Sequence, residues 1–480
     1  MNNLEPKEVF SLFDEIRKVP RPSKHEEQIS AWLVRFAQEH GIDHTVDEAM
    51  NVIMRVPATP GCENKPGIIL QAHMDMVCEK NGDVNHDFMK DPIDTYVDGD
   101  WLKARGTTLG GDDGIGVAMA LAAITSKTLK HPALECLFTV DEETGLTGAN
   151  RLKDGCLNGK MLINLDSEDD GQIFIGCAGG IDTLAKMHYT PATIDTRDLF
   201  AARVSVTGLM GGHSGDDINK GRGNANILIV RFLYGMMQTD GFQLAAINGG
   251  NLRNAIAREA EAVFTVRMSE KENLRIRFNE YVAAIEGELI DLEKDMHFDL
   301  ESTDMPSTFI PEEQAKRLIR TIMACPHGVV EMSRDMPGLV QTSTNLASVK
   351  MRDGYVEINT SQRSSVETQK HYIKDKVECA LSAVCDEITH GDGYPGWKPN
   401  VHSPLMEVVK KAYKDLFGSE PKVLAIHAGL ECGLFLEKYP YLDMVSIGPQ
   451  MYGVHSPQER LSIASTGRCW QWLCRTLESL

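Results

Sequence analysis

Two kinds of strand pattern divide this sequence, and that division constrains the fold more than any other feature. In the first third, NVIMRVPA, GIILQAHMDMV, ALECLFTVDEETG and KMLINLD are short runs with few polar residues before their ends. Such runs suit strands buried on both faces, as in parallel sheets. Helix-like stretches separate them, so this part reads as α/β, a mainly parallel mixed sheet flanked by helices. The middle differs. AARVSVTG, FQLAAING, AREAEAVFTVRM and GYVEINTSQRSS alternate apolar and polar residues, as strands with one wet face do. Amphipathic helices are expected between them, over roughly 220–239, 270–294, 311–324 and 366–388. After the Gly-, Pro- and aromatic-rich GDGYPGWKP, the buried style returns in KVLAIHAGLECGLF and DMVSIGP. A chain of 480 residues is too long for one ordinary core. The expected organisation is an α/β domain built from residues 1–184 and 396–480, interrupted by an inserted α+β domain over 185–395.

Local signals add detail. In VPRPSKHEEQISAWLVRFAQEHG, Ser23 reads as an N-cap with Glu26 three residues on, and Gly41 as the stop. Roughly 80–100, rich in Asp and Asn, reads as a long loop. The net charge of -20 argues against nucleic acid or an anionic membrane as partner, since both are polyanions. The longest apolar run, Ile115 to Ile124, is about half of what a membrane span needs. Eleven cysteines without a C-x-x-C pair, and no secretory signal pattern, point to free thiols in a reducing compartment, hence the cytoplasm.

Polar residues gather at the ends of the apolar strands. His73 and Asp75 lie two apart and so share a strand face. Asp112 and Asp113 sit in a Gly-rich turn before a buried helix, Asp141 to Glu143 follow one strand, and Asp166 ends another. Singly, each has an ordinary reading: a satisfied histidine, a helix cap, a solvated loop, a turn residue. Together they stand at element ends of one α/β unit, where strand carboxyl ends open onto a ligand crevice. Converging carboxylates repel one another unless a cation neutralises them. Histidine and carboxylates without thiolate fit zinc, manganese or cobalt in a hydrolytic site. One carboxylate can bridge two such ions, set about 3.5–4 Å apart.

The motifs HMD, LGGDDG, DEETG, LDSED, GGHSG and GVHSP, in this order, resemble the co-catalytic metallopeptidases of the M20 type. VPRPSKHEE, GTTLGGDDGIG, INLDSED and HAGLECG are similar to the cytosolic Xaa-His dipeptidase subgroup, the aminoacyl-histidine or peptidase D type. The resemblance covers essentially the whole chain. It implies a catalytic domain with His73 and Asp166 on a first metal, Asp112 bridging, and Glu143 and His455 on a second. It also implies Glu142 as general base and Asp75 behind His73, holding the imidazole through its other nitrogen. The Asp112–Asp113 peptide is expected to be cis.

The inserted domain would then be a lid. His213 would donate to the oxyanion, Asn254 would contact the substrate carbonyl, and Arg363 would grip its carboxylate through paired hydrogen bonds. Gly429 and Glu431 would line the site, Glu431 facing the substrate amine, and His427 is a further contact to consider. The insert is far larger than a single four-stranded lid. It either replaces a second subunit within one chain or builds a homodimer, and both stay open here. No Lys follows the acids of LGGDDG, unlike several other branches.

The resulting expectation is a metallo-dipeptidase that hydrolyses unblocked dipeptides, Xaa-His and broader. A metal-bridging hydroxide would attack, with two divalent ions per chain, zinc first and cobalt or manganese as alternatives. The same fold would also serve an N-acyl-amino-acid amidohydrolase.

Overall fold

The structure is a computed structural model that describes Met1 and residues 3–480. The chain divides into two compact units. One comprises residues 1–177, 397–425 and 430–480; the other comprises 178–396 and 426–429.

In the first unit an eight-stranded sheet runs in the order Asp43–Val46, Val52–Val56, Leu134–Thr139, Ile68–His73, Met161–Asn164, Asp443–Ser446, Gln172–Cys177, Lys422–Ile426. Its centre is parallel: Ile68–His73 pairs in parallel with both Leu134–Thr139 and Met161–Asn164, and Asp443–Ser446 continues the same direction. Every residue of Ile68–His73 and of Leu134–Thr139 is buried. That is why these segments are so largely apolar: helices cover both faces of such a sheet. One cover is the helix Gly111–Thr125, of which only Thr125 is not buried. Its small residues let it lie against the sheet strands Ile68–His73 and Leu134–Thr139.

Parallel pairing also fixes which strand ends meet. Gln71 stands opposite Asn164 and His73 opposite Thr139. Two residues further on, that register brings Asp166 level with His73, and Asp141 level with Asp75. Neighbouring strands lie about 4.8 Å apart, so these side chains are forced together at one edge.

A small antiparallel sheet completes the first unit: Met451–Tyr452, Arg460–Ser462, Trp101–Ala104 and Thr95–Asp98. The expected 80–100 loop therefore ends early, at the strand Thr95–Asp98. The hairpin it begins receives a second hairpin from the far end of the chain. Helix Glu27–His40 stops at Gly41 in the left-handed conformation, as expected. Ser23 is not its cap; its hydroxyl donates to Asp75 instead, at 2.8 Å.

The second unit is one nine-stranded sheet whose strand pairs, among the described residues, are antiparallel. The order is His297–Ser302, Leu199–Thr207, Ala260–Arg267, Gln243–Gly249, Val340–Arg352, Tyr355–Ser364, Gly179–His188, Glu387–His390, with Gly328–Met332 also on Val340–Arg352. Two groups of strands join through Asn248 opposite Lys350 and Gly249 opposite Val349. Helices Ala225–Met236, Lys271–Leu289, Glu312–Ala324 and Glu367–Leu381 pack on it. Phe232, Phe264, Leu318, Ile358 and Val377 belong to its core.

The eleven cysteines are free thiols. Among the described residues, no helix is long and apolar enough to cross a membrane.

Candidate metal centre

The centre is built at the carboxyl edge of the parallel strands. His73 is the last residue of its strand and is 1% exposed. Its Nε2 lies 2.9 Å from Asp112 Oδ1 and 3.3 Å from Asp166 Oδ1. Asp112 turns its other oxygen, Oδ2, to His455 Nε2 at 3.1 Å. His455 Nε2 is also 2.9 Å from Glu143 Oε2. One carboxylate thus faces two imidazoles, one from each end of the chain, and each imidazole nitrogen faces a second carboxylate. A ring nitrogen carries at most one hydrogen and can satisfy only one of these oxygens. The surplus negative charge is what a pair of cations sharing Asp112 would neutralise.

The two adjacent aspartates separate cleanly. Asp113 spends its carboxylate on backbone, accepting from His73 N at 3.2 Å and from Gly116 N at 3.1 Å. It supplies the capping role that such a pair often plays, and leaves Asp112 free for the histidines. The peptide joining them is cis.

Asp75 organises three neighbours. Its Oδ1 lies 3.3 Å from His73 Nδ1, a contact short of hydrogen-bond geometry, since that nitrogen makes no hydrogen bond. The same carboxylate accepts the backbone N–H of Glu142 at 3.1 Å and of Glu143 at 3.4 Å. Those glutamates open the short helix Glu142–Gly145. His73, Glu142 and Glu143 each bring a ligand atom within 4.8 Å of the others.

Proton affinities reflect the crowding. Burial raises the Asp166 carboxyl to about 7 and lifts Glu142 well above the usual carboxylate range. For Asp112, burial works upward but the two histidines outweigh it and hold the carboxyl low. Hydrogen bonds to Asp112 and Glu143 push His455 up to about 11. Burial works downward on His73, yet Asp166, Asp112 and Asp75 raise it.

Two acids near the centre are not among the site residues expected from the sequence. Glu168, two residues after Asp166, is raised to about 8 by burial. Glu459, in PQER, accepts four successive backbone N–H groups, from Leu109 to Asp112. Glu168 lies within LDSED, from which only Asp166 was expected at the site, whereas Glu459 belongs to no recognisable motif. The one hint for Glu459 is its position four residues after His455.

Glu431 is fully buried in the first unit, just before helix Cys432–Lys438. Its Oε2 accepts from Gln71 Nε2 at 2.6 Å and Thr139 Oγ1 at 2.8 Å, while Oε1 has no partner among the described residues.

The remaining expected residues lie in the second unit. His213 Nδ1 accepts backbone N–H groups from Gly215 at 3.3 Å and Asp216 at 3.2 Å. Asp216 Oδ2 also lies 3.4 Å from Nδ1; the neutral ring with Nδ1 accepting carries its proton on Nε2. Asn254 is exposed, and its carbonyl accepts from Ser214 N at 2.9 Å. Arg363 donates from Nη1 to the Tyr394 hydroxyl at 3.0 Å, and its buried Nε has no partner among the described residues. Arg363, Asn254, Tyr394, Arg253 and Asp182 line a cavity of about 550 Å³. Gly429 leaves room for Tyr394: a Cβ there would lie 2.8 Å from its ring. His427 Nε2 lies 2.7 Å from Ser343 Oγ, its buried Nδ1 has no hydrogen-bond partner among the described residues, and burial lowers its pKa to about 4.

Comparison with known proteins gives the family. Residues 69–479 match the peptidase family M20/M25/M40. The chain is 42% identical over 485 aligned positions to the cytosol non-specific dipeptidase of Escherichia coli strain K12, covering 100% of this chain and 99% of that one. The crystal structure of aminoacylhistidine dipeptidase from Vibrio alginolyticus superposes with a TM-score of 0.95 at 40% identity, covering 100% of this chain and 98% of that one. Aminopeptidase PepT from Bacillus cereus shares the fold, with a TM-score of 0.58 at 15% identity over 99% of both chains. With the family pattern matched over most of its length and a full-length relative at this identity, the chain belongs to peptidase family M20/M25/M40.

Proposed function

We propose that the protein is a metal-dependent dipeptidase acting on unblocked dipeptides, Xaa-His and broader. The observation that carries this is Asp112, whose two oxygens face His73 and His455 while Asp166 and Glu143 crowd the same nitrogens. The donor set of imidazole and carboxylate fits two hydrolytic divalent ions, zinc first, with cobalt or manganese also suited. His73, Asp166 and Asp112 would hold one ion, and Asp112, Glu143 and His455 the other. When bound, such a pair polarises a carbonyl oxygen and lowers the pKa of water. The relatives' names, a non-specific dipeptidase and an aminoacylhistidine dipeptidase, support the substrate class.

Each protein group then has a task. Glu142 takes the proton from water and returns it to the leaving amine. Asp75 steadies His73 and the backbone of both glutamates. His213, with its proton on Nε2, is a donor suited to an oxyanion. Arg363, with a buried Nε still to satisfy, is suited to a terminal carboxylate, with Asn254 in the same cavity. Gly429 keeps space beside Tyr394. Glu431 is assigned the substrate amine through its Oε1. Free thiols and a relative named for the cytosol support a cytoplasmic setting.

The test is one matched assay. Metal-stripped protein, reloaded with zinc or manganese, is offered β-Ala-His, Gly-His, Leu-Gly, Ala-Ala-Ala and N-acetyl-Leu. Metal-dependent release of amino acids from the dipeptides alone is the expected result. Cleavage of N-acetyl-Leu but not the dipeptides would make the protein an N-acyl-amino-acid amidohydrolase and remove Glu431 from the amine.

A further inference from the structure

The loop that carries Asp112 is held by charge from both sides. Glu459, 2% exposed, accepts N–H from Leu109 at 2.7 Å, Gly110 at 3.0 Å, Gly111 at 2.7 Å and Asp112 at 3.4 Å. A carboxylate offers about four lone-pair sites, so this one is fully used. Opposite it, the buried guanidinium of Arg21 donates to the carbonyl of Gly110 and, at 2.6 Å, to that of Asp75. The glycines make the grip achievable. Gly110 has φ +67°, the left-handed region, and a Cβ on Gly111 would lie 3.2 Å from Glu459 Oε1. The gripped N–H groups precede the regular helical turns, since Asp112 and Asp113 have non-helical backbone angles ahead of them.

Glu459 also links two distant parts of the centre. It stands on the same connection as His455, between the strands Met451–Tyr452 and Arg460–Ser462. Asp112 and His455 are 343 residues apart in sequence. Through Glu459, the connection that presents His455 also grips the backbone of Asp112.

Resting on the metal-centre reading above, we infer that Glu459 is a positioning residue for the shared ligand: it sets Asp112 against both histidines and thereby tunes affinity for both ions. Gln in its place keeps the size but offers one oxygen, and points an N–H₂ at N–H donors. The Asp112 carboxylate is then no longer held at the midpoint of the two nitrogens.

The full-length protein, stripped of metal, is titrated with Zn²⁺ by calorimetry beside Glu459→Gln, and both metal-free melts are recorded. Wild type is expected to take two ions. Glu459→Gln is expected to bind them roughly 10–100-fold more weakly, the range for groups that orient metal ligands. A lower melting temperature with unchanged zinc affinity would make Glu459 merely structural and overturn the inference. If Glu459→Gln does not fold, Glu459→Asp serves, keeping the charge but retracting it by one methylene, with weaker zinc binding again expected and unchanged affinity again overturning. A wild type that takes no zinc would instead overturn the metal reading itself.

Discussion

The two sheets of this protein solve opposite problems. The first unit aligns its central strands in parallel, so that their carboxyl ends present His73, Asp141 to Glu143 and Asp166 along one edge. The second unit runs its strands antiparallel, so neighbouring ends point opposite ways and no edge of its described residues collects such a row. Its chosen side chains instead sit within strands or on connections: Arg363 on Tyr355–Ser364, His213 and Asn254 on loops. Parallel order concentrates charge and so invites metal. Antiparallel order spreads single polar groups over a broad face, suited to reading the shape and ends of a small molecule. In the proposed function the metal ligands and the general base thus fall to the unit of the parallel sheet and the carboxylate reader Arg363 to the antiparallel one, while Glu431 in the first unit and His213 in the second cross that division.

Substitutions in the two units should therefore fail differently. The largest expected effect is Glu142→Ala in the first unit, which should lower kcat by about 10²–10⁴-fold, the usual contribution of a general base. Zinc content, measured on the same sample, should stay at the wild-type level. A variant with near-normal kcat would return Glu142 to a structural role and break the comparison at its chemical end. Next is Phe264→Ala, fully buried in the second unit. It should cost about 3–5 kcal/mol of that unit's stability, seen in denaturant melts. The metal content of folded protein should not change. A loss of zinc there would mean that the units do not divide the work as described.

Smaller effects sharpen the recognition side. Arg363→Ala should raise KM for dipeptides with little change in kcat. The expected loss is about 1.5–3 kcal/mol, the range for a hydrogen bond to a charged group, and dipeptide amides should lose almost nothing. Equal losses on acids and amides would exclude the carboxylate role. The smallest effect expected is Ser403→Ala. Ser403 caps helix Pro404–Phe417, accepting from Met406 N at 2.9 Å, with Pro404 at the first helical position. Removing that cap should cost about 1 kcal/mol, visible as a modest fall in melting temperature with activity unchanged.

Legibility in the sequence follows the same division. Strands buried on both faces are plain, because a continuous apolar run such as Ile68–Leu70 must be kept from water wherever it lies. The strand Val340–Arg352 is not predicted, although it joins the two strand groups of the second sheet. Its stretch Thr342–Thr344 is polar and buried, and Thr342 reaches across to Ser364 at 2.9 Å. Hydrogen bonds between side chains replace apolar contact there, and a pattern of hydrophobicity does not register them. Ser23 shows a related limit. It has the local spacing of a capping box, yet its hydroxyl serves Asp75, 52 positions away. A nearby carboxylate acceptor outcompetes the local option.

What the sequence by itself determined is the list of parts: apolar runs that must be buried, and acids and histidines placed where those runs stop. That list suffices to expect metal chemistry, because side-chain type and strand direction are local properties. The tertiary structure alone decided how the parts are shared. Parallel register brought Asp166 level with His73; backbone N–H groups claimed Asp113 and left Asp112 to the histidines; a hairpin from the far end delivered His455 and, with it, Glu459. Contacts between residues hundreds of positions apart depend on the packing of the whole unit, and no local pattern encodes which carboxylate will find four unpaired N–H groups.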